Sequence, residues 1–170
     1  DKKYRYLPLY SVSGLWRISS ESFMSDIEWI NNLAIRASYG LQGNIDKSTS
    51  PKILGNYTTT TILPGTTEDA IDIASPPNEK LRWEKTHSSN IGFDFSVLNT
   101  RINLSGDYYY RKGVDLIGSQ ALALETGFQS TTINWASMKN QGVEFSLNTH
   151  NIKTKHFDWR TTFNIAYNQN

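Results

Sequence analysis

The stretch Asn90–Tyr110, NIGFDFSVLNTRINLSGDYYY, decides the fold. Its apolar side chains fall at every second position. Ile91, Phe93, Phe95 and Val97 alternate with Asn90, Gly92, Asp94 and Ser96. After a short turn, Ile102, Leu104 and Tyr108 alternate with Asn103, Ser105 and Asp107. A period of two is that of a β-strand, and two such runs around a tight turn predict a hairpin. Alternation alone leaves open which face is wet. In a soluble sheet the apolar face turns toward a core. In a membrane-spanning barrel it turns outward to lipid, and the polar face lines the lumen.

Four further runs share the pattern. Leu7–Ile18 places Tyr10, Val12, Trp16 and Ile18 on one face. Leu33–Leu41 sets Leu33, Ile35, Ala37 and Tyr39 against Arg36 and Ser38. Gln141–Thr149 sets Val143, Phe145 and Leu147 against Glu144, Ser146 and Asn148. Phe157–Tyr167 sets Phe157, Trp159, Phe163 and Ile165 against Arg160, Thr162 and Asn164. The expected class is therefore all-β, an antiparallel up-and-down meander of about six strands. One short helix is expected near residues 20–31, where Phe23, Ile27 and Ile30 recur at helical spacing and Ser25 followed by Glu28 suggests a capping box.

The connections add information. They run compact, long, compact, long, compact. The long ones cover about residues 42–82 and 117–140, and the first holds Pro51, Pro64, Pro76 and Pro77. Proline cannot donate to a strand ladder, so these residues are expected in loop. Successive connections of an antiparallel sheet lie at opposite ends, which gathers the long loops at one end and the compact turns at the other. Membrane barrels have this asymmetry. Aromatics near strand ends, among them Trp16, Trp83, Tyr108, Tyr110 and Trp159, match interfacial girdles, although strands favour aromatics in any setting.

Composition removes several function classes. A net charge of +1 with no basic run gives no electrostatic case for a nucleic-acid partner. No apolar stretch reaches the ~18 residues of a transmembrane helix, but a barrel strand needs only about 9–11 alternating residues. A mean hydropathy of −0.50 suits either a polar soluble protein or a wide barrel with a wet lumen. Cysteine is absent, so there is no disulfide framework. The chain opens on DKKYRYLPLY and ends inside an alternating run, and is expected to be a piece of a longer protein.

No catalytic constellation stands out, and no enzyme activity, metal or other cofactor is expected. His87, His150 and His156 read as solvated turn or strand-end residues. Glu68, Asp69 and Asp72 could gather around a calcium ion on a loop, or open a helix with an acidic first turn. In the long loops, Tyr57, Phe128, Asn134 and Trp135 are candidates for substrate contact: sugar C–H faces stack on aromatic rings and hydroxyls bond to amides. The bland alternative is that they pack the loops. Arg36, Asp94, Asn103, Glu144 and Arg160 fall on polar strand faces and would line a lumen.

Several strings together resemble one family. LRWEKTHSSNIGFDFSVLNTRINLSGDYYYRKGVDLI, with YLPLYSVSGLWRISSESFM and INNLAIRASYGLQGN upstream and NWASMKNQGVEFSLNTHNIKTKHFDWRTTFNIAYNQN downstream, is similar to the SusC/RagA-type TonB-dependent outer-membrane transporters of Bacteroidetes. The strings occur in family order. LPLYSVSGLW and KNQGVE depart mildly from the family's usual wording at those places. The resemblance implies part of a large transmembrane β-barrel in the cell outer membrane, with residues 1–170 in the barrel domain and the plug domain and remaining strands elsewhere in the protein. It also implies uptake of a glycan or peptide nutrient, a SusD-like surface lipoprotein as lid, TonB as energy source, and lipid around the wall. The competing interpretation is a soluble all-β carbohydrate-binding sandwich. Topology separates the two: a barrel wall meanders, whereas a sandwich shows Greek-key crossings.

Overall fold

The computed structural model describes residues 6–46 and 49–170. Among the described residues eight strands form: β1 Tyr10–Arg17, β2 Ile30–Asn44, β3 Leu54–Leu63, β4 Thr66–Ser75, β5 Glu84–Val97, β6 Ile102–Ala121, β7 Ser130–Lys153 and β8 Asp158–Gln169. Six make one sheet in the order β1-β2-β5-β6-β7-β8, and β3 with β4 makes a second, two-stranded sheet. Along the large sheet every strand lies beside its neighbour in sequence, once the β3–β4 excursion is set aside. This is a meander with no Greek-key crossing, and the sheet does not close on itself.

By internal contacts the chain divides into two units. The first comprises residues 9–42, 86–113 and 138–170. Its registers fix the faces. Leu15 pairs with Arg36 and Trp16 with Ile35, so Arg36 and Ser38 share one side while Ile35 and Tyr39 share the other. Glu144 pairs with Ala166 and Ser146 with Asn164, opposite Phe145–Ile165 and Leu147–Phe163. Among the described residues only Ala34 and Val97 are both apolar and buried. Val12, Trp16, Ile91, Phe163, Ile165 and Tyr167 all stand exposed. A sheet that leaves this much apolar surface uncovered has no core of its own and calls for an apolar medium or partner over that face. The aromatic rings economise on space where they can. Phe93 and Phe145 lie over Gly106, where an added Cβ would meet their Cε1 atoms at 2.5 and 2.9 Å.

The β5–β6 turn is built from three consecutive left-handed residues, Leu98, Asn99 and Thr100, at φ of 56°, 54° and 61°. Its hydrogen bonds hold it there. The Leu98 N–H donates to Trp29 O (3.0 Å) and Arg101 N–H to Leu98 O (3.3 Å). Thr100 N–H donates to Asn31 Oδ1 (3.0 Å), and Asn103 Nδ2 donates to Thr100 O (2.8 Å).

The second unit comprises the described residues of 1–8, 43–85 and 114–137. Here the structure departs from the sequence expectation. Within the expected first loop, β3 and β4 pair as a hairpin, with Tyr57 opposite Ile71 and Thr59 opposite Asp69. Pro64 and Gly65 make its turn, and Gly65 has φ 83°. That is the Pro-Gly arrangement of a type II turn, and LPGT carried its signal. The expected second loop shrinks to residues 122–129, because β6 runs on to Ala121 and β7 starts at Ser130. In these extensions Val114 with Leu116 and Ile133 with Trp135 alternate only briefly before Gly and polar residues break the period, so it is too short to mark a strand. The helix expected near 20–31 takes the form of two 3-10 turns, Ile18–Ser20 and Ser22–Met24. Ser25 opens no helix: it closes the C-terminal end of the second turn, its N–H and its hydroxyl both donating to Ser22 O, the hydroxyl at 2.8 Å. Glu68, Asp69 and Asp72 lie on strand β4, not on a loop or helix start, and the alternation puts Glu68 and Asp69 on opposite faces.

A β-branched residue in left-handed backbone costs about 1–2 kcal/mol, partly offset when glycine replaces it by glycine's greater unfolded-state freedom. Thr100→Gly in the full-length protein is therefore expected to raise stability by about 0.5–1 kcal/mol. Urea unfolding of the detergent-solubilised protein measures it, and a loss of stability would contradict the turn geometry.

Candidate functional site

The polar face of the first unit centres on one guanidinium. Arg36 on β2 donates through Nη1 to Asp94 Oδ2 on β5 (3.0 Å) and through Nη2 to Asp107 Oδ2 on β6 (2.7 Å). The side chain thus crosses a whole strand to reach the next but one. Gly92 on β5 makes the crossing possible. A Cβ there would lie 2.7 Å from Arg36 Nε and still closer to the Asp107 carboxylate. One cation between two carboxylates leaves the cluster with a net negative charge.

Four of the five residues expected to line a lumen lie on this face as open or bridging groups, in different roles. Arg36 and Asp94 are joined. Glu144 is exposed and, among the described residues, has no ion pair. Arg160 forks onto Asp158 at 3.0 and 3.4 Å, and Asp158 also lies 3.1 Å from His150 Nε2. That pair sits in open solvent, where such contacts contribute little. Asn103 belongs to the β5–β6 turn: it accepts from Ser96 Oγ at 2.7 Å and donates to Thr100 O. Sequence reasoning missed Asp107, although its position in the same alternating run as Asn103 put it on the polar side.

His87 accepts or donates at 2.7 Å with Tyr39 Oη. Among the described residues no cluster of His, Asp or Glu could hold a metal ion.

In the second unit the organising residue is Asn134 on β7. Its Nδ2 donates to Arg82 O (2.7 Å) and Asp115 O (2.6 Å), and its Oδ1 accepts from Arg82 N–H (2.9 Å). The amide that was expected to meet substrate is committed to main-chain groups. Asp115 beside it adopts φ 58°, a conformation aspartate tolerates better than most residues. Its carboxylate takes Arg82 Nη2 at 2.7 Å and Lys85 Nζ at 3.3 Å. Asp115 belongs to the part of β6 that falls in the second unit. The Arg82 hydrogen bond holds its carboxyl below the usual range, against the opposing effect of burial, with Lys85 assisting. Glu84 adds two more ties, accepting from Ile117 N–H (2.8 Å) and Asn44 Nδ2 (2.7 Å).

The expected aromatic contacts separate. Trp135 follows Asn134 in the strand, so its indole projects from the opposite face. It is 65 % exposed and lies over Gly118, where a Cβ would come within 2.8 Å of its Nε1. Tyr57 is 89 % exposed on β3. Phe128 is half-buried in the 122–129 connection, which is closed by Leu122 N–H donating to Gln129 O at 3.0 Å. The structure does not gather Tyr57, Phe128, Asn134 and Trp135 into one pocket.

Known proteins resemble this chain in both sequence and fold. The family described as "TonB dependent receptor-like, beta-barrel" matches residues 1–170. The chain belongs to that family. The TonB-dependent receptor SusC of Bacteroides thetaiotaomicron is 36 % identical over 175 residues, covering 100 % of this chain and 17 % of SusC. TonB-dependent receptor P26 of Formosa agariphila is 38 % identical over 172 residues, again with 17 % of its length matched. Among solved structures, the RagAB peptide importer in its "open-open" state superposes with a TM-score of 0.79 at 28 % identity over 95 % of this chain and 17 % of that one. The chain thus spans about one-sixth of the length of these relatives. TonB-dependent receptors are outer-membrane proteins, and these relatives are receptors and transporters, not enzymes. In such a barrel, the exposed apolar residues of the first unit have a place to go.

Three outcomes follow for this TonB-dependent receptor segment. Gly92→Ala should break the Arg36–Asp107 contact and cost about 1–3 kcal/mol by stranding part of a half-buried charge network. Asp107→Asn combined with it should add little, because the two changes remove the same interaction; full additivity in unfolding experiments would contradict the clamp. Asn134→Ala should loosen the second unit, raising amide exchange at Arg82 and Ile117 by about tenfold or more, as expected for lost bonds to main-chain groups. The Asp115 contribution has the sign of a depressed acid: it is present above the unfolded carboxylate value of about 3.9 and is lost as pH falls through the lower folded value. Protection at Arg82 should therefore persist at neutral pH and collapse in strong acid, with Asp115→Asn abolishing that pH dependence.

Proposed function

We propose that this chain contributes barrel wall and outer loops to a TonB-dependent transporter in the cell outer membrane that imports a nutrient, either a glycan or a peptide. The observation that carries it is the division of one sheet into a charged face organised by Arg36, Asp94 and Asp107 and an apolar face left without a core. The first suits a wet lumen and the second suits lipid. Arg36, Asp94, Glu144 and Arg160 face the lumen, and Asn103 secures the periplasmic turn at its rim. The second unit stands outside the membrane, with the exposed rings of Tyr57 and Trp135 offered to substrate or to the lid, and with Asn134 anchoring the segment that carries Trp135 and Phe128. The rest of the protein supplies the remaining strands, a plug within the barrel and the segment that engages TonB, and a SusD-like surface lipoprotein closes the outer mouth.

The meander disfavours the rival, a soluble carbohydrate-binding sandwich. The test is made on the full-length protein in its native host. It should fractionate with the outer membrane, co-purify with a surface lipoprotein, and support uptake that stops when TonB is deleted. Recovery in the periplasm as a soluble protein, or uptake unaffected by TonB, would refute the assignment.

A further inference from the structure

The apolar face of the first unit carries basic groups at one end. They are His87 on β5, Lys112 on β6 and Lys139 on β7. Alternation from Phe93 and Ile91 to His87, from Tyr108 and Tyr110 to Lys112, and from Val143 and Gln141 to Lys139 puts all three on this side. Tyr39 Oη, on the same side, lies 2.7 Å from His87 Nδ1. The strand carboxylates of the unit, Asp94, Asp107, Glu144 and Asp158, all lie on the opposite face.

The ladders line the three basic residues up. Across β5 and β6, Ser96 Oγ donates to Asn103 Oδ1 at 2.7 Å and Phe93 lies over Gly106. Across β6 and β7, the His150 N–H donates to Arg101 O at 2.7 Å and Phe145 lies over Gly106. Equal steps along antiparallel strands from these pairs set His87 opposite Lys112 and Lys112 opposite Lys139. Facing residues have Cβ atoms about 5 Å apart, where like charges repel. Among the described residues neither lysine has an ion pair.

The row sits at a defined level. From Val97, beside the β5–β6 turn, the strand reaches His87 after about 33 Å at ~3.3 Å per residue. At a barrel tilt of about 40° that is about 25 Å along the membrane normal, the height of a barrel's apolar band. The row therefore marks the polar edge of the lipid at the end away from the turns. Toward the turns from it, an open concavity of about 320 Å³ is lined by Ile35, Ile91, Phe93, Tyr108, Val143 and Phe145. Gly92 and Asp107 complete the lining, the Asp107 carboxylate being engaged with Arg36 on the other face.

Basic groups above an apolar hollow fit an amphiphile with an anionic head. A hydrocarbon chain alone leaves the lysines without counter-charge, and a free anion leaves the hollow bare. A second copy packed through this face brings the same basic row and no strand carboxylate to meet it. A phosphate suits the row best: it carries several strong acceptor oxygens, enough for donors from neighbouring strands. With Tyr39 Oη donating to Nδ1, His87 keeps Nε2–H as one of those donors.

We propose that His87, Lys112 and Lys139 form a binding site for a phosphorylated membrane lipid on the outside of the wall. Its phosphate bridges the three strands and its acyl chain lies in the hollow between Ile35 and Phe145. The proposal rests on the transporter assignment, which supplies the lipid. Tyr39 is the positioning residue, since it orients the His87 ring.

The test uses the full-length protein in detergent, with native mass spectrometry as the readout and dioleoyl phosphatidic acid, dioleoyl phosphatidylcholine and glycerol phosphate as probes. Phosphatidic acid should bind about tenfold more tightly than phosphatidylcholine, and excess glycerol phosphate should not displace it. Lys112→Gln with Lys139→Gln should weaken phosphatidic acid about tenfold or more, through the loss of two charge-assisted contacts. Lys112→Arg with Lys139→Arg should retain it. Lys153→Gln with Lys155→Gln, the same change of charge near the β7–β8 turn, should leave it unchanged. Equal binding of the two lipids, an equal loss in both Gln pairs, displacement by glycerol phosphate, or a dimer mass in place of retained lipid would overturn the proposal. The transporter assignment would survive each of these results, since it stands or falls on fractionation and TonB dependence.

Discussion

Main-chain hydrogen bonding between sequence neighbours is the constraint on which everything else here depends. With only Ala34 and Val97 apolar and buried among the described residues, packing cannot hold the sheet together as it does in a globular domain. What remains is the ladder, and a ladder of antiparallel strands joined in order leaves both faces free for other uses. One face is given to charge and the other to bulky apolar groups. The side chains then have secondary tasks: Arg36 ties three strands across one face, and Phe93 and Phe145 close over Gly106 on the other. Each tie exists because a glycine, Gly92 or Gly106, leaves room for it.

The same economy explains the three-residue left-handed turn. A meander with a tight β5–β6 connection must reverse direction within a few residues, and three residues of the chain adopt unfavourable backbone to do so. Trp29, Asn31 and Asn103 hold them there by one hydrogen bond each, and the Arg101 N–H closes the turn onto Leu98 O. Strain in one place is balanced by hydrogen bonds drawn from neighbouring connections.

How much of this could be read beforehand follows from what each residue does. The wall strands were legible because burial against an apolar environment imposes a period of two, as in Ile91–Phe93–Phe95. Their true ends were not. Beyond Tyr110 and before Gln141 apolar residues such as Val114, Leu116, Ile133 and Trp135 are interrupted by polar ones on both sides, and the contrast between faces fades. The β3–β4 hairpin was hidden by a general rule, that prolines mark loops, even though Pro64-Gly65 is specific for a turn between strands. The polar-face residues were legible by parity, but their partners were not: nothing local in the sequence says that Arg36 reaches past β5 to Asp107, since that depends on an absent side chain at position 92. Asn134 was noticed for the right chemistry, an amide seeking donors and acceptors, and the structure supplies them from its own backbone.

Asn134 also governs how the second unit can change. Its three bonds run to main-chain atoms of Arg82 and Asp115, which every amino acid but proline at the N–H position would present alike. The grip is therefore indifferent to most of the side chains displayed around it. Residues such as Tyr57, Phe128 and Trp135 can be exchanged for others without loosening the anchor, so the surface of this unit can vary while its attachment points stay as they are.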